Sequence, residues 1–283
     1  MKTQITSIAL SLSLGLSAFG QEAEDVSQAL DFSQIKQMFP SAQNEGQGKL
    51  GTQATIDIKN DLVFLDGKDA DQLLQSWGNL PAVIDGLVMP EDGAWCITFE
   101  FSSVGYVKDD EQEDIDAEEI LEQNREAQEE ANKARVKQGF GSLTIVSWVV
   151  EPRYNAQTNN LEWGMLLKDD EGSETINHEI RLLGRRGVTS ATLLCSPAQF
   201  KDLQPVMNAT LDGFSYTDGN KYGEYKEGDK IAEYGLLGLM GAGGAFVLWK
   251  FWKPIGLGVL AVGAGVKKFF GGFFGGKSEG RIS

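Results

Sequence analysis

The sequence of 283 residues has one histidine, His178, and two cysteines, Cys96 and Cys195. A single histidine excludes zinc sites built on histidine pairs, such as His-Glu-x-x-His. Two cysteines make no disulfide framework, and neither has a second Cys or a His at metal-ligand spacing. Bases are also scarce, 25 against 41 acids, for a net charge of −16. Such a chain repels nucleic acid and anionic headgroups. No Gly-x-Ser-x-Gly elbow, phosphate-binding Gly-rich loop or dinucleotide fingerprint occurs. Carboxylate-pair catalysis stays open only because 41 acids always offer some pair.

The chain nonetheless has what a folded core needs: 41% hydrophobic residues, with six Trp and fifteen Phe. Its charge is unevenly spread. Residues 231–283 hold six bases against two acids, residues 1–20 hold only Lys2, and residues 21–230 carry −21. That segment favours cations, basic partners or neutral ligands.

Both ends read as targeting elements. Residues 1–20 have the pattern of a secretory signal: Lys2, a short apolar run, then Ala18-Phe19-Gly20 before a cut at Gln21. Residues 234–252 form an apolar run closed by Trp249, Lys250 and Trp252, long enough for one helical span. A second run at 254–266 is short, and Lys267 and Lys268 interrupt its continuation. We therefore expect a single transmembrane helix at 234–252 with a basic tail at 253–283, the runner-up being a helical hairpin. The basic tail belongs on the cytoplasmic side, which leaves the acidic domain in the periplasm.

Between the ends, the pattern predicts α+β with a largely antiparallel sheet. An amphipathic helix is expected at 25–38, within a helix-and-linker segment 21–53 whose residues 40–51 are polar and Gly-rich. Strands are expected at 54–58, 62–65, 83–89 and 94–101, with a helix at 68–77 between the second and third. Asp116 and Glu119 open a long helix at 116–138. Strands at 143–150, 161–168, 175–183 and 188–194 follow, and Ser196-Pro197 should start a helix. The domain is expected to span 54–216, with 217–233 a polar tether. An oxidising compartment would permit a Cys96–Cys195 disulfide, the alternative being two buried thiols.

Five separated motifs carry a resemblance. Ala54-Thr-Ile-Asp-Ile58, Phe64-Leu-Asp66, Trp77-Gly-Asn79, Gly105-Tyr-Val-Lys-Asp-Asp110 and Leu183-Gly-Arg-Arg-Gly-Val188 occur in this order, followed by the Gly-rich C-terminal run. Together they resemble a bacterial family of membrane-anchored proteins, domain of unknown function two-one-six-seven, over about residues 50–270. The resemblance implies a Gram-negative-type envelope protein. It brings no activity, cofactor or catalytic residue.

Three features are candidates for function. Residues 109–119 hold eight acids and no base. Asp109, Asp110, Glu111, Glu113, Asp114 and Asp116 could ligate a divalent cation, although the frame fails the EF-hand pattern. The plainer reading is an acidic helix N-terminus. His178 alternates with Ile176, Ile180 and Leu182 and should face the core. Gly184-Arg185-Arg186-Gly187 joins two strands and would project a basic knob, with Arg181 nearby, able to dock a carboxylate or phosphate of a partner. The plainer reading pairs these arginines with the protein's own acids.

The composite expectation is a non-enzymatic protein of the inner membrane, presenting an acidic binding or scaffolding domain to the periplasm. No cofactor and no nucleic acid are expected; the partners are the membrane and another envelope protein. The alternatives are a membrane-tethered, carboxylate-dependent hydrolase and a divalent-cation-binding protein.

Overall fold

The alternation Trp95, Ile97, Phe99, Phe101 sends four large apolar side chains to one face of a strand, and that face is where the largest core cluster forms. The computed structural model describes residues 31–240 apart from Asn60, Asp61, Gly78, Leu80 and Gln138. The expected signal peptide, the start of the helix at 25–38, residues 241–252 of the expected span and the tail at 253–283 lie outside the described residues.

In chain order the elements are α1 (Phe32–Met38), β1 (Gly46–Leu50), β2 (Ala54–Ile58), β3 (Leu62–Asp66), α2 (Gly67–Ser76), β4 (Gly86–Pro90) and β5 (Cys96–Ser102). After them come α3 (Ala117–Lys137), β6 (Leu143–Asn155), β7 (Asn160–Asp169), β8 (Glu174–Leu183), β9 (Val188–Cys195), α4 (Phe200–Leu211), β10 (Phe214–Tyr216) and α5 (Leu236–Met240). Seven strands form one antiparallel sheet in the order β3-β4-β5-β9-β8-β7-β6, and β1-β2-β10 form a second. The architecture is α+β with antiparallel sheets.

Both faces of the large sheet are covered, as the period of two dictates. Ile97, Phe99, Ala191, Leu193, Ile176 and Ile180 point to the face closed by the small sheet and α4. Val63, Leu65, Leu87, Cys96 and Leu194 point to the other face, where α1 and α2 pack. Farther along that face, Leu161, Trp163, Met165 and Leu167 of β7 lie with Ile120 of α3 and with α5. For this reason β8 is buried along nearly its whole length, including Thr175, Asn177, Glu179 and Arg181. α3 also seals part of the outer edge of β6. Arg125 donates to the carbonyls of Ile145 and Val146, and Asn132 pairs with both backbone groups of Leu143. Covering an edge in this way blocks strand-to-strand association.

The motifs of the resemblance are structural joints. Asp66 ends β3 and caps α2 by accepting from Asp69 N, and Asn79 closes the other end by donating to Leu74 O. Gly105 has φ 105° and lies so close to Lys230 that a Cβ would meet its carbonyl oxygen at 2.7 Å. Gly184 and Gly187 flank the β8–β9 turn without adopting positive φ. They are small because Cβ atoms would strike the Tyr216 ring at 2.7 Å and Ser102 O at 2.0 Å.

Several expectations need correction. Residues 40–51 are not simply a linker: β1 forms there and pairs with β2 despite its glycines, because Gly48 lies against the Phe64 ring. α4 starts at Phe200 rather than at Pro197, and carries Pro205 inside. Of the two alternatives for Cys96 and Cys195, the structure has the buried thiols: both are free. Cys96 faces Leu194 across the strands, so Cys195, one residue on, points to the opposite face of the sheet. The pleat therefore keeps the two sulfurs apart, and burial pushes both thiols up, Cys195 to about 12.

The largest correction concerns 217–233, expected as a free polar tether. It is a strap folded back over the domain. Thr217 N donates to Gln53 O, Lys221 bridges Gly184, and Ile231 bridges Tyr106. Tyr106 stacks on Tyr222 and lies against Tyr225, with centroids 4.6 and 4.4 Å apart. Arg185 grips Asp229 through two hydrogen bonds of 2.7 and 2.8 Å. The strap delivers α5, whose Leu236, Leu239 and Met240 are buried against the domain, with Asn124 donating to Met240 O. The first residues of the expected span thus belong to the domain core, and no described helix is long and apolar enough to cross a membrane.

Two predictions follow from these joints. The Tyr216 phenol contacts Leu182 O, Thr189 N and Thr189 Oγ1 in a buried setting. Tyr216→Phe strands those groups and should cost about 1–3 kcal/mol in denaturant unfolding. Arg185→Ala should lower the melting temperature and expose 217–230 to protease, whereas Arg186→Ala, at an exposed position, should do neither. The Arg185 hydrogen bond holds the Asp229 carboxyl down at about 2, below its ordinary 3.8. A depressed carboxylate stabilises above its unfolded pKa and loses that contribution as pH falls through the folded one. The melting difference between wild type and Arg185→Ala should therefore be full above about pH 4 and shrink toward pH 2.

Candidate functional site

The β6–β7 hairpin places Arg153 directly opposite Glu162. Glu162 takes the same sheet face as its neighbour on β8, His178, and the three side chains form one cluster. The Glu162 carboxylate accepts from His178 Nε2 at 2.8 Å and from Arg153 Nε and Nη2 at 2.8 and 2.7 Å. An ionised acceptor there requires the proton on Nε2 of the imidazole. Burial pushes the Glu162 carboxyl up, but the hydrogen bonds from His178 and Arg153 outweigh it and hold it below its ordinary value. His178 itself is 1% exposed and meets Phe200 edge-on at 5.4 Å. Its Nδ1 is buried without a hydrogen-bond partner among the described residues.

Glu162 and Arg153 line a cleft of about 1010 Å³. The hairpin tip at 153–160 forms one wall, the end of α4 with β10 a second, and the strap residues Lys221, Tyr222 and Gly223 a third. Ile180 and Leu182 of β8 supply an apolar floor. Amide side chains crowd the rim: Asn155, Gln157, Asn159, Asn160 and Asn208. The hairpin tip is held in shape. Asn159 adopts φ 53° and donates to the Tyr154 hydroxyl at 3.1 Å, and that hydroxyl donates to Asp109 at 2.9 Å. Burial, with Asp109 adding to it, pushes the Tyr154 phenol up to about 12.

The charges of the cleft are largely spoken for. Arg153 pairs with Glu162, and Lys221 with Asp218 at 3.0 Å. Asp212, exposed at the end of α4, is the lining carboxylate without an ion pair among the described residues.

The residues singled out from sequence are placed elsewhere or used otherwise. Arg181 is 3% exposed, bonded to Glu179 at 2.6 Å and lying over the Trp163 ring. Arg185 is 8% exposed and committed to Asp229. Neither forms an exposed knob for partner binding: Arg181 pairs with Glu179 and Arg185 with Asp229, in line with the plainer reading. Only Arg186 of the three is exposed. The acidic run does not converge. Asp109 accepts from Tyr154, Glu111 from Leu237 N, and Asp116 from Glu118 N and Glu119 N as the cap of α3. Asp110, Glu113 and Asp114 join no cluster: among the described residues, no group of three or more His, Cys, Asp and Glu could hold a metal ion. This arrangement matches the plainer reading, an acidic helix N-terminus, with Asp116 as its cap. Arg153, Glu162 and the amide rim were missed. The available signal was the opposite charges set symmetrically about the turn at 154–160, on a strand beside His178.

Comparison with solved structures gives a weak likeness to the solution structure of cyanobacterial PsbP (CyanoP) from Synechocystis sp. PCC 6803. The sequences are 11% identical, the match covers 62% of this chain and 93% of that one, and the TM-score is 0.37. No curated relative matches the sequence. The family described as Protein of unknown function (DUF2167) matches residues 42–270, which include both sheets, the cleft and the strap, and the chain belongs to that family.

Proposed function

We propose that this is a non-enzymatic binding domain of the cell envelope, held at the inner membrane by its C-terminal run and capturing a ligand in the cleft between the β6–β7 hairpin, α4, β10 and the strap. The observation that carries this reading is the state of Glu162 within a cleft of ligand size. A carboxylate hydrolase needs an acid whose pKa is raised so that it can give up a proton. Glu162 is lowered instead, and its two oxygens are already engaged by His178 and Arg153. It acts as a structural strut for the cleft wall. A periplasmic setting is supported by the signal-like residues 1–20 and by the basic tail after the apolar run at 234–252.

Two measurements test this. A phosphatase reporter fused after Met240 keeps the strap and α5 intact and should be active, while one fused after Ser283 should be inactive. Two inactive fusions would refute the periplasmic setting, and two active ones the single span. Within the cleft, a photo-cross-linker at Gln157 should trap a ligand, whereas one at Val83, 84% exposed and not in the cleft lining, should not. Equal yields at the two positions would remove the cleft as the binding site.

A further inference from the structure

The cleft has one wall that is not made of side chains alone. β10 is the outer strand of the small sheet and, among the described residues, pairs only with β2. Asp57 N donates to Gly213 O and Thr217 N to Gln53 O, so residues 213, 215 and 217 turn their backbone groups toward the inner partner. Alternation then directs the N–H and C=O of Phe214 and Tyr216 outward. These two residues line the cleft, and their outward backbone groups form no hydrogen bond among the described residues. A free strand edge invites pairing with another chain. Here the edge is three residues long and recessed in a cleft, which limits access to a narrow segment.

We propose that the cleft binds an extended peptide that adds to β10 as a fourth strand of the small sheet, with a basic residue of the peptide set against Asp212. This rests on the cleft being a binding site. Two outward donors and two outward acceptors supply the affinity. The amide side chains of the rim can meet the peptide's other edge, since each both donates and accepts. Charge selects the peptide: Arg153 and Lys221 are paired within the protein, Asp212 has no ion pair among the described residues, and residues 21–230 carry −21. An acidic segment would be repelled and a basic one drawn in. The rigid hairpin tip and the strap wall lower the ordering cost of binding.

The test uses the full chain in detergent and a phage-displayed library of random dodecapeptides as probe. Selection should enrich extended peptides containing Lys or Arg. A synthetic copy of an enriched peptide, N-methylated one residue at a time, should lose about tenfold or more in affinity at alternate positions and little at those between, because only alternate amides face β10. Phe214→Pro removes one outward N–H that the fold does not use and should weaken binding about tenfold. Its melting curve checks that it folds, and the N-methyl series needs no variant. Asp212→Asn should cost affinity mainly at low salt. Absence of any enriched peptide, or binding indifferent to N-methylation, overturns the inference. A glycan array bound by the wild type and not by Ser215→Trp would overturn it too, while leaving the cleft standing as a binding site. Silence on both library and array would remove both.

Discussion

One phenol ties the two sheets together. Tyr216 leaves the small sheet at β10 and buries its hydroxyl between Leu182 and Thr189, facing residues of β8 and β9. Its ring lies where a Cβ on Gly184 would stand, which fixes a glycine at that turn. The small sheet could otherwise slide over the apolar face of the large one, since burial alone has no direction. Hydrogen bonds do have direction, and burying unsatisfied polar atoms is costly enough to select one register. That register sets the width of the cleft, because Tyr216 and Phe214 form one wall and Leu182 part of the floor.

The same logic explains the strap. A polar segment of 17 residues at 217–233 has little apolar surface with which to hold itself down, and local composition marks it as a linker. It is held by partners far away in sequence: Arg185 for Asp229, Val107 O for the Tyr222 hydroxyl, and the Tyr106 ring for Tyr222 and Tyr225. Ring stacking and a bidentate ion pair are enough where backbone bridges at Lys221 and Ile231 share the ordering cost.

Local pattern made the rest of the sheet readable, and the limits of locality mark what was not. Alternation in β5 and β8 located the strands, their core faces and His178, because one face of each is continuous with the main core. The opposite face of β8 carries Thr175, Asn177, Glu179 and Arg181 and is buried nonetheless, with Arg181 bonded to Glu179 and lying over the Trp163 ring of β7. β1 carries glycines where the Phe64 ring comes close, so its strand character exists only in the packed structure. The basic pair at 185–186 was visible, but the partner that removes Arg185 from the surface lies 44 residues on. The cleft was illegible for a similar reason. Its walls come from two stretches far apart in sequence, the hairpin tip at 153–160 and residues 208–223, and nothing local in either announces that they meet.

The strap also gives the cleft a mechanical position. Lys221, Tyr222 and Gly223 are cleft wall, and fewer than twenty residues later the chain is packed beneath α3 at Met240. Between these points the strap is fastened at Asp229 and Ile231. α5 therefore ends on the α3 side of the large sheet, while the cleft lies on the side of α4 and the small sheet. The sheet separates the two, so the contact that holds α5 and the wall that shapes the cleft are linked through the strap rather than by direct packing.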